Sequence, residues 1–191
     1  FLAALDGLHD SGIANIVCRQ EGGAAMMAEA HGKMIGQPGV CFVTRGPGAT
    51  NASAGIHIAR QDSTPMVMFV GQIARDHRDR EAFQEVDYRA MFGGLAKWVA
   101  EVDQTERLPE YVARAFSVAV KGRPGPVVLA LPEENAEEQR YQAGHLAVVD
   151  AVCSYRDAAA LAATIPQAKL AFDLAQPPQL PAELEARLVN L

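Results

Sequence analysis

The stretch GVCFVTRGPGATN, residues 39–51, joins an apolar run to a turn and then to residues of helical composition. The run Val40–Thr44 is short, apolar and bounded by turn residues, which is typical of a strand buried in a parallel sheet. Gly46-Pro47-Gly48 predicts a turn, because proline and glycine interrupt regular structure, and we expect a helix to follow from Ala49 to Gln61. The stretch therefore predicts one strand–turn–helix unit.

The same alternation continues on both sides of this unit. Further strands are expected at about Ile13–Cys18, Met66–Val70, Lys97–Val102 and Val127–Leu131, and further helices at about Gly22–Ile35, Val86–Met91 and Leu108–Val120. Short apolar strands that alternate with helical segments indicate βα units around a parallel sheet. The predicted fold class is α/β, with a parallel sheet flanked by helices.

The composition excludes several classes of function. The chain has 191 residues, of which 49% are hydrophobic and 21% charged, as in an ordinary globular protein. Its net charge of −6 provides no basic field for nucleic acid, so no nucleic-acid partner is expected. No apolar run approaches the roughly 20 residues of a membrane-spanning helix, so no membrane partner is expected either.

Two sets of sulfur-containing residues are expected to be structural. Cys18, Cys41 and Cys153 have no metal-binding or redox spacing, and we interpret them as reduced cysteines of a cytoplasmic protein, the first two in buried strands. The second set lies on the helix after Cys18 and is expected to fill the core: Met26, Met27 and Met34.

The composition changes after Glu133, where the strand and helix alternation becomes hard to follow. We therefore divide the chain into a domain over residues 1–134 and a linker with a partial second unit over residues 135–191. Within the second part, Ser154 and Asp157 resemble a capping box that begins a helix through Ala163.

Three short segments contain the residues best suited to chemistry. Glu21 follows a predicted strand and begins a helix, at the carboxyl end of the strand where open α/β sheets bind ligands; the simpler alternative is an acid that stabilises the helix N-terminus. The glycines of Thr44–Asn51 allow a ligand close to the backbone, or form only a tight turn with Thr50 or Asn51 as helix cap. Phe83-Gln84-Glu85 alone indicates nothing.

Two common kinds of active site are disfavoured. The five histidines are scattered without ligand spacing, so no metal site is predicted in this chain. The sequence has no Gly-x-Ser-x-Gly motif, which disfavours a serine hydrolase of that type.

Six segments in fixed order give a more specific signal. They are RQEGGAA (19–25), GVCFVTRGPGATN (39–51), DSTP (62–65), GQ (71–72), AFQE (82–85) and GRPGPV (122–127). In this order and spacing they resemble the N-terminal, pyrimidine-binding domain of thiamine-diphosphate-dependent enzymes, with acetolactate synthases as the most similar branch. The resemblance covers about residues 1–134.

The resemblance implies a cofactor and roles for five residues. It implies thiamine diphosphate, with Glu21 contacting the pyrimidine ring nitrogen and sharing a proton with it, so that the cofactor forms the C2 ylide that attacks a 2-keto acid. Pro47 and Asn51 would flank the pyrimidine, Phe83 would help form the wall, and Gln84 would face the reacting side. Glu21 and Gln84 are thus the expected catalytic residues.

The resemblance also implies parts that this sequence does not contain. The diphosphate and its Mg²⁺ would be held by a second domain with a Gly-Asp-Gly segment, and no Gly-Asp pair occurs here. The family's first strand would precede Phe1, so we interpret the chain as truncated at the N-terminus, with a partial C-terminal appendage. The family's active site lies between subunits, which implies at least a homodimer, while FAD stays undecided.

One residue departs from the family pattern and several functions remain open. Arg45 stands where the family commonly has serine, and its guanidinium is expected either to reach solvent or to pair with an acid. The implied activity is decarboxylation and carboligation of small 2-keto acids, as in acetolactate synthase. The alternatives are a related lyase or decarboxylase, acting on sulfoacetaldehyde, an oxalyl thioester or an aromatic 2-keto acid, or a non-catalytic dimerisation module.

Overall fold

Four parallel strands form the centre of the structure, a computed structural model that describes residues 8–9, 11, 13–104 and 107–133. The strands are β1 (Gly39–Val43), β2 (Met66–Gln72), β3 (Trp98–Glu101) and β4 (Pro126–Pro132), in the order β1-β2-β4-β3. The helices are α1 (Glu21–Ile35), α2 (Arg45–Asp62), α3 (Tyr88–Phe92) and α4 (Leu108–Val120), with a 3₁₀ turn at Arg75–His77. The predicted parallel α/β class is confirmed.

The two central strands are buried along almost their whole length. β2 and β4 pair in parallel from Met66 opposite Pro126 to Gln72 opposite Pro132. Every residue of β4 is buried, and only Gly71 of β2 is partly exposed. Such uninterrupted burial is expected where helices cover both faces of a parallel sheet. Strong apolar runs therefore predicted these two strands nearly to the residue.

α4 begins and ends where the sequence pattern predicts. Its apolar residues at helical spacing are buried, and the helix packs against β4 and β2. Pro109 lies in its first turn, where the missing backbone N–H has no helical partner to lose.

α1 and α2 pack unusually close together. Gly55 of α2 faces Ala25 of α1, and a Cβ atom added at Gly55 would lie 2.6 Å from the Ala25 Cβ. Both residues are buried. One turn earlier in each helix stand Glu21 and Asn51, so the two helices run side by side from the same edge of the sheet. Their close packing sets the distance between these two polar side chains.

The end of α2 is fixed by an arginine from a distant turn. Arg123 donates from Nε to the Ser63 hydroxyl at 2.7 Å, and from Nη2 to the carbonyl oxygens of Arg60 and Gln61, each at 3.2 Å. The last carbonyls of a helix have no partner within it, so a donor at this position satisfies them. Two segments quoted for the resemblance, 62–65 and 122–127, thus meet at the end of α2.

A buried polar pair joins the same end of α2 to α1. The Thr64 hydroxyl donates to Glu29 Oε1 at 2.9 Å, and Glu29 is only 6% exposed. Lys33 lies 3.5 Å from the same carboxylate and also pairs with Asp62. A buried carboxylate requires such partners, because leaving it unpaired costs free energy.

The prediction of a buried strand at Ile13–Cys18 is wrong. These residues form no helix or strand, and Ile16 and Val17 are 68% and 87% exposed. An apolar run becomes a buried strand only where a neighbouring strand supplies backbone partners, and residues 13–18 pair with no strand in the described part of the chain. Cys18 is accordingly only half-buried, whereas Cys41 is buried in β1 as predicted.

The prediction that the methionines of α1 fill the core is also wrong. Met26, Met27 and Met34 are all exposed. α1 instead buries Glu29 together with three small residues, Ala25, Ala28 and Gly32. Small side chains on this face let α1 approach its neighbours closely, which turns the methionines outward.

α2 begins earlier than the sequence suggests. The helix starts at Arg45, so Gly46-Pro47-Gly48 forms its first turn and does not precede it. Proline is tolerated there for the same reason as in α4. The simpler alternative, a turn with Thr50 or Asn51 as helix cap, is also not found: Thr44 is the N-cap residue, Thr50 donates to the carbonyl of Gly46, and Asn51 bonds to another helix.

Some predictions fall outside the described residues. These include the domain boundary after residue 134, the unit over 135–191, the capping box at Ser154 and Cys153. None of the described helices is long and apolar enough to cross a membrane.

We predict that Gly55→Ala destabilises the protein by about 1–3 kcal/mol, because the new methyl group overpacks the contact between α1 and α2. Gly23→Ala is the matched control, since a Cβ there meets nothing within 4 Å. The control should be neutral or stabilise by up to about 1 kcal/mol through helix propensity. Urea unfolding measures both, and equal free energies of unfolding for the two variants would contradict the close packing.

Candidate functional site

The predicted site residue Glu21 lies in the first turn of α1 and contacts α2. Asn51 Nδ2 donates a hydrogen bond to Glu21 Oε2 at 3.0 Å, across 30 residues of sequence. The N-cap of α1 is Gln20, whose side chain accepts from the Gly23 amide at 2.8 Å. Glu21 is therefore not the cap of its helix, and its carboxylate is available at the surface where α1 and α2 begin.

The surroundings of Glu21 favour its ionised form. The hydrogen bond from Asn51 is the main cause that lowers the pKa of Glu21, a backbone hydrogen bond adds to it, and slight burial opposes both. The helix N-terminus stabilises negative charge in the same direction. The resemblance implied a carboxyl that shares a proton with the ring nitrogen, and in this structure the group is a partly exposed carboxylate.

Gln84 contacts the beginning of α2, the helix that also contains Asn51. The Gly46 amide donates to the Gln84 carbonyl at 3.1 Å. A Cβ atom at position 46 would lie 2.7 Å from Val86 Cγ2 and 3.0 Å from the Gln84 carbonyl oxygen, so only glycine allows this approach. The first two turns of α2 thus contact both expected catalytic residues, Gln84 through Gly46 and Glu21 through Asn51.

Gln84 has a left-handed backbone conformation, with φ of 67°. This region is unfavourable for a residue with a side chain, by roughly 1 kcal/mol or more, and persists only where neighbouring contacts hold it. Two contacts hold it here: the Gly46 amide donates to the Gln84 carbonyl, and the buried Gln72 donates from Nε2 to the Val86 carbonyl at 2.9 Å.

Glu85 holds the loop before Gln84 in shape. Its two carboxylate oxygens accept hydrogen bonds from the amides of Asp79 at 2.8 Å and Ala82 at 2.9 Å. These two bonds are the largest causes that lower the pKa of Glu85. The sequence placed Glu85 in a quoted segment without a role. Only its position, between a charged loop and a helix, could have indicated this role in the sequence.

The two residues expected to shape the pocket are both exposed. Pro47 lies at the surface of the first turn of α2, and Phe83 is 78% exposed. Phe83 follows the loop that Glu85 holds, next to Gln84. The structure brings Glu21 into contact with Asn51 and joins Gln84 to the same helix, α2.

Arg45 pairs with an acid, one of the two outcomes expected for it. Its Nη2 lies 2.5 Å from Glu133 Oε2, directly after β4, and its Nη1 lies 3.4 Å from the Phe83 carbonyl oxygen. Arg45 itself has a positive φ of 48°. This side chain therefore links the beginning of α2, the end of β4 and the segment that contains Gln84.

The assembled groups can recognise a polar ring but show no metal centre. A carboxylate in the first turn of α1 and a carboxamide in the second turn of α2 lie side by side, and together they can accept and donate hydrogen bonds to a heterocycle edge. Within the described residues, no group of three or more His, Cys, Asp or Glu side chains could hold a metal ion.

We predict that Asn51→Ala raises the pKa of Glu21 toward its ordinary value, because the variant removes the main hydrogen bond to the carboxylate. Since the folded-state pKa is the lower one, this bond stabilises the protein above the unfolded-state pKa. The stabilisation is lost as pH falls through the folded-state pKa. Carboxyl carbon NMR measures the titration, with Glu85 as an internal control that should not shift. An unchanged Glu21 titration would contradict this assignment.

Comparison with known proteins identifies the family. Residues 1–91 match "Thiamine pyrophosphate enzyme, N-terminal TPP binding domain". The chain is 42% identical over 129 residues to the acetolactate synthase isozyme 2 large subunit of Escherichia coli, covering 68% of this chain and 24% of that protein. It is 40% identical over 134 residues to the mitochondrial acetolactate synthase catalytic subunit of Saccharomyces cerevisiae, covering 70% and 20%.

An archaeal relative gives the same result. The probable acetolactate synthase large subunit of Methanococcus aeolicus is 39% identical over 132 residues, covering 69% of this chain and 22% of that protein. The matches span only 20% to 24% of the length of these three relatives. The resemblance seen in the sequence is confirmed: the chain belongs to the thiamine pyrophosphate enzymes, as an N-terminal TPP binding domain similar to that of acetolactate synthases.

Proposed function

We propose that this chain is the pyrimidine-binding part of a thiamine-diphosphate-dependent enzyme that acts on small 2-keto acids, as acetolactate synthase does. The observation that carries the proposal is the Glu21 carboxylate, held by Asn51 at the N-terminus of α1. Membership of the family supports the cofactor, and the names of the relatives support the type of reaction.

The residues at the site fit an aminopyrimidine ring. Such a ring presents a nitrogen acceptor and an amine donor on its edge, and a carboxyl group can bond to either, depending on its protonation. Asn51 bonds to one oxygen of Glu21, and a carboxylate has about four acceptor positions, so a further partner can be accommodated. The small residues at the start of α2 keep bulky side chains away from this edge.

Glu21 is the residue proposed to hold a proton. A ring placed over it would displace water, and desolvation raises the pKa of a carboxyl group from the lowered value found here. The pKa would then move toward the range in which a carboxyl can share a proton with the ring nitrogen. When bound, thiamine diphosphate supplies an electron sink for the decarboxylation and carboligation of the keto acid.

The other proposed site residues act by shape and contact. Gln84, a proposed catalytic residue, would face the reacting side of the cofactor from the segment held by Gly46. Asn51 would hold Glu21 in place and, with Pro47, flank the ring. Phe83 would form part of a wall, and its exposed position suits a side chain that becomes covered when the pocket closes.

The remaining parts of the enzyme are proposed to lie outside this chain. We propose Mg²⁺ and the diphosphate to be held by a second domain, and the active site to form between subunits of a cytoplasmic homo-oligomer. The proposal includes no assignment for FAD. The related lyases and decarboxylases, and a non-catalytic dimerisation module, are the other outcomes that the experiments below can give.

We predict that Glu21→Gln in the full-length protein lowers turnover about 100-fold or more, because it removes a proton-handling group and keeps its size. Glu110→Gln is the matched control, since Glu110 is also an exposed acid in the first turn of a helix, α4. The control should keep normal turnover. Steady-state kinetics with thiamine diphosphate and Mg²⁺ measures both.

A substrate panel on the same full-length protein distinguishes between the alternative activities. A panel of small 2-keto acids, sulfoacetaldehyde, an oxalyl thioester and aromatic 2-keto acids should show highest kcat/KM with a small 2-keto acid. A preference for another member would assign one of the related activities. Near-normal turnover of the Glu21 variant would contradict its role, and failure to bind thiamine diphosphate would leave only the dimerisation module.

A further inference from the structure

A cluster beyond Glu21 lies at the carboxyl ends of β2 and β4. It consists of Arg45, Glu133, Gln72 and the segment Phe83–Val86. The Glu133 amide donates to the Gln72 carbonyl at 3.0 Å, which continues the strand pairing by one residue and fixes where Glu133 lies. Its carboxylate then contacts the Arg45 guanidinium, so the acid is anchored by backbone and side chain.

The segment of Gln84 is held at three backbone carbonyls within four residues. Arg45 Nη1 donates to the Phe83 carbonyl at 3.4 Å, the Gly46 amide to the Gln84 carbonyl at 3.1 Å, and Gln72 Nε2 to the Val86 carbonyl at 2.9 Å. Two of these donors come from adjacent residues at the beginning of α2. Gln84, whose backbone is left-handed, lies between the held carbonyls of Phe83 and Val86.

The geometry points to Arg45 as a positioning residue for Gln84: anchored by Glu133, its guanidinium fixes the Phe83 carbonyl and so keeps Gln84 against the beginning of α2. The inference rests on the proposed function only in giving Gln84 a catalytic role. An arginine suits this position because its planar group donates in two directions at once, to a carboxylate and to a carbonyl. Lysine would keep the charge but not this fixed two-sided geometry.

The pair is partly exposed, which sets the size of the expected effect. The side chains of Arg45 and Glu133 are 27% and 45% exposed. Exposed ion pairs contribute modestly and are weakened by salt. Removing the pair should therefore loosen the segment without unfolding the protein.

The test measures amide hydrogen exchange at Gly46 in the full-length protein, because that amide bonds directly to the Gln84 carbonyl. In Arg45→Lys and Glu133→Gln we expect exchange about twofold to fivefold faster, as for loss of an exposed ion pair. The matched control is Arg107→Lys, which alters another exposed pair, with Asp103 and Glu110, at the start of α4. It should leave Gly46 unchanged.

A charge-swapped protein tests the pairing itself. Arg45→Glu combined with Glu133→Arg restores opposite charges, and we expect it to recover part of the slow exchange that each single swap loses. Raising ionic strength should speed Gly46 exchange in the original protein more than in Glu133→Gln. Unchanged exchange in Arg45→Lys, or an equal change in Arg107→Lys, would overturn the inference.

Kinetics separates a positioning role from a general structural one. Arg45→Lys should lower kcat about twofold to fivefold, in line with the exposed pair, with little change in the affinity for thiamine diphosphate, because Glu21 and Asn51 remain in place. Loss of affinity and kcat together would overturn the inference. If Glu21→Gln has normal turnover while Gly46 exchange responds as expected, the proposed function fails and the positioning of Gln84 stands.

Discussion

The close approach of α1 and α2 is the constraint on which the site depends. Gly55 and Ala25 meet where no larger side chain fits, and this contact brings Asn51 within 3.0 Å of Glu21 one turn earlier. Arg123 fixes the other end of α2, and Thr64 ties that end to Glu29 of α1. α2 is therefore held along its length, and its first turns become a rigid base for groups that belong to distant parts of the sequence. A site built on rigid elements keeps its polar groups in one geometry before any ligand arrives.

The sequence predicted the parts of the fold that depend on local pattern. β2, β4 and α4 were correct nearly to the residue, because each combines a strong apolar pattern with clear turn residues at its ends. The prediction of a strand at Ile13–Cys18 failed because an apolar run shows which residues could be buried but not whether a neighbouring strand is present. The prediction that the α1 methionines fill the core failed for a related reason. The packed face of α1 is defined by Ala25, Ala28 and Gly32, whereas hydrophobicity alone ranks methionine above these residues.

The candidate site was predictable in its residue types but not in its connections. The resemblance implied that Glu21, Asn51 and Gln84 contact one cofactor. The hydrogen bond between Glu21 and Asn51, the left-handed conformation of Gln84 and the pairing of Arg45 with Glu133 all join residues far apart in the chain. Long-range contacts of this kind leave no periodic signal in a sequence. They also give the site a property that composition does not reveal, a carboxylate whose pKa is lowered chiefly by the hydrogen bond from Asn51.

That property leads to the most direct test of the account. Glu21 should change its titration when the cofactor binds, because a ring that excludes water and meets the carboxyl group favours its protonated form. The measurement is the pKa of Glu21, from carboxyl carbon NMR of the full-length protein, before and after saturation with thiamine diphosphate and Mg²⁺. The account predicts a clear rise in the pKa of Glu21 while the pKa of Glu85 stays constant. Saturation with the cofactor and an unchanged Glu21 titration would contradict it.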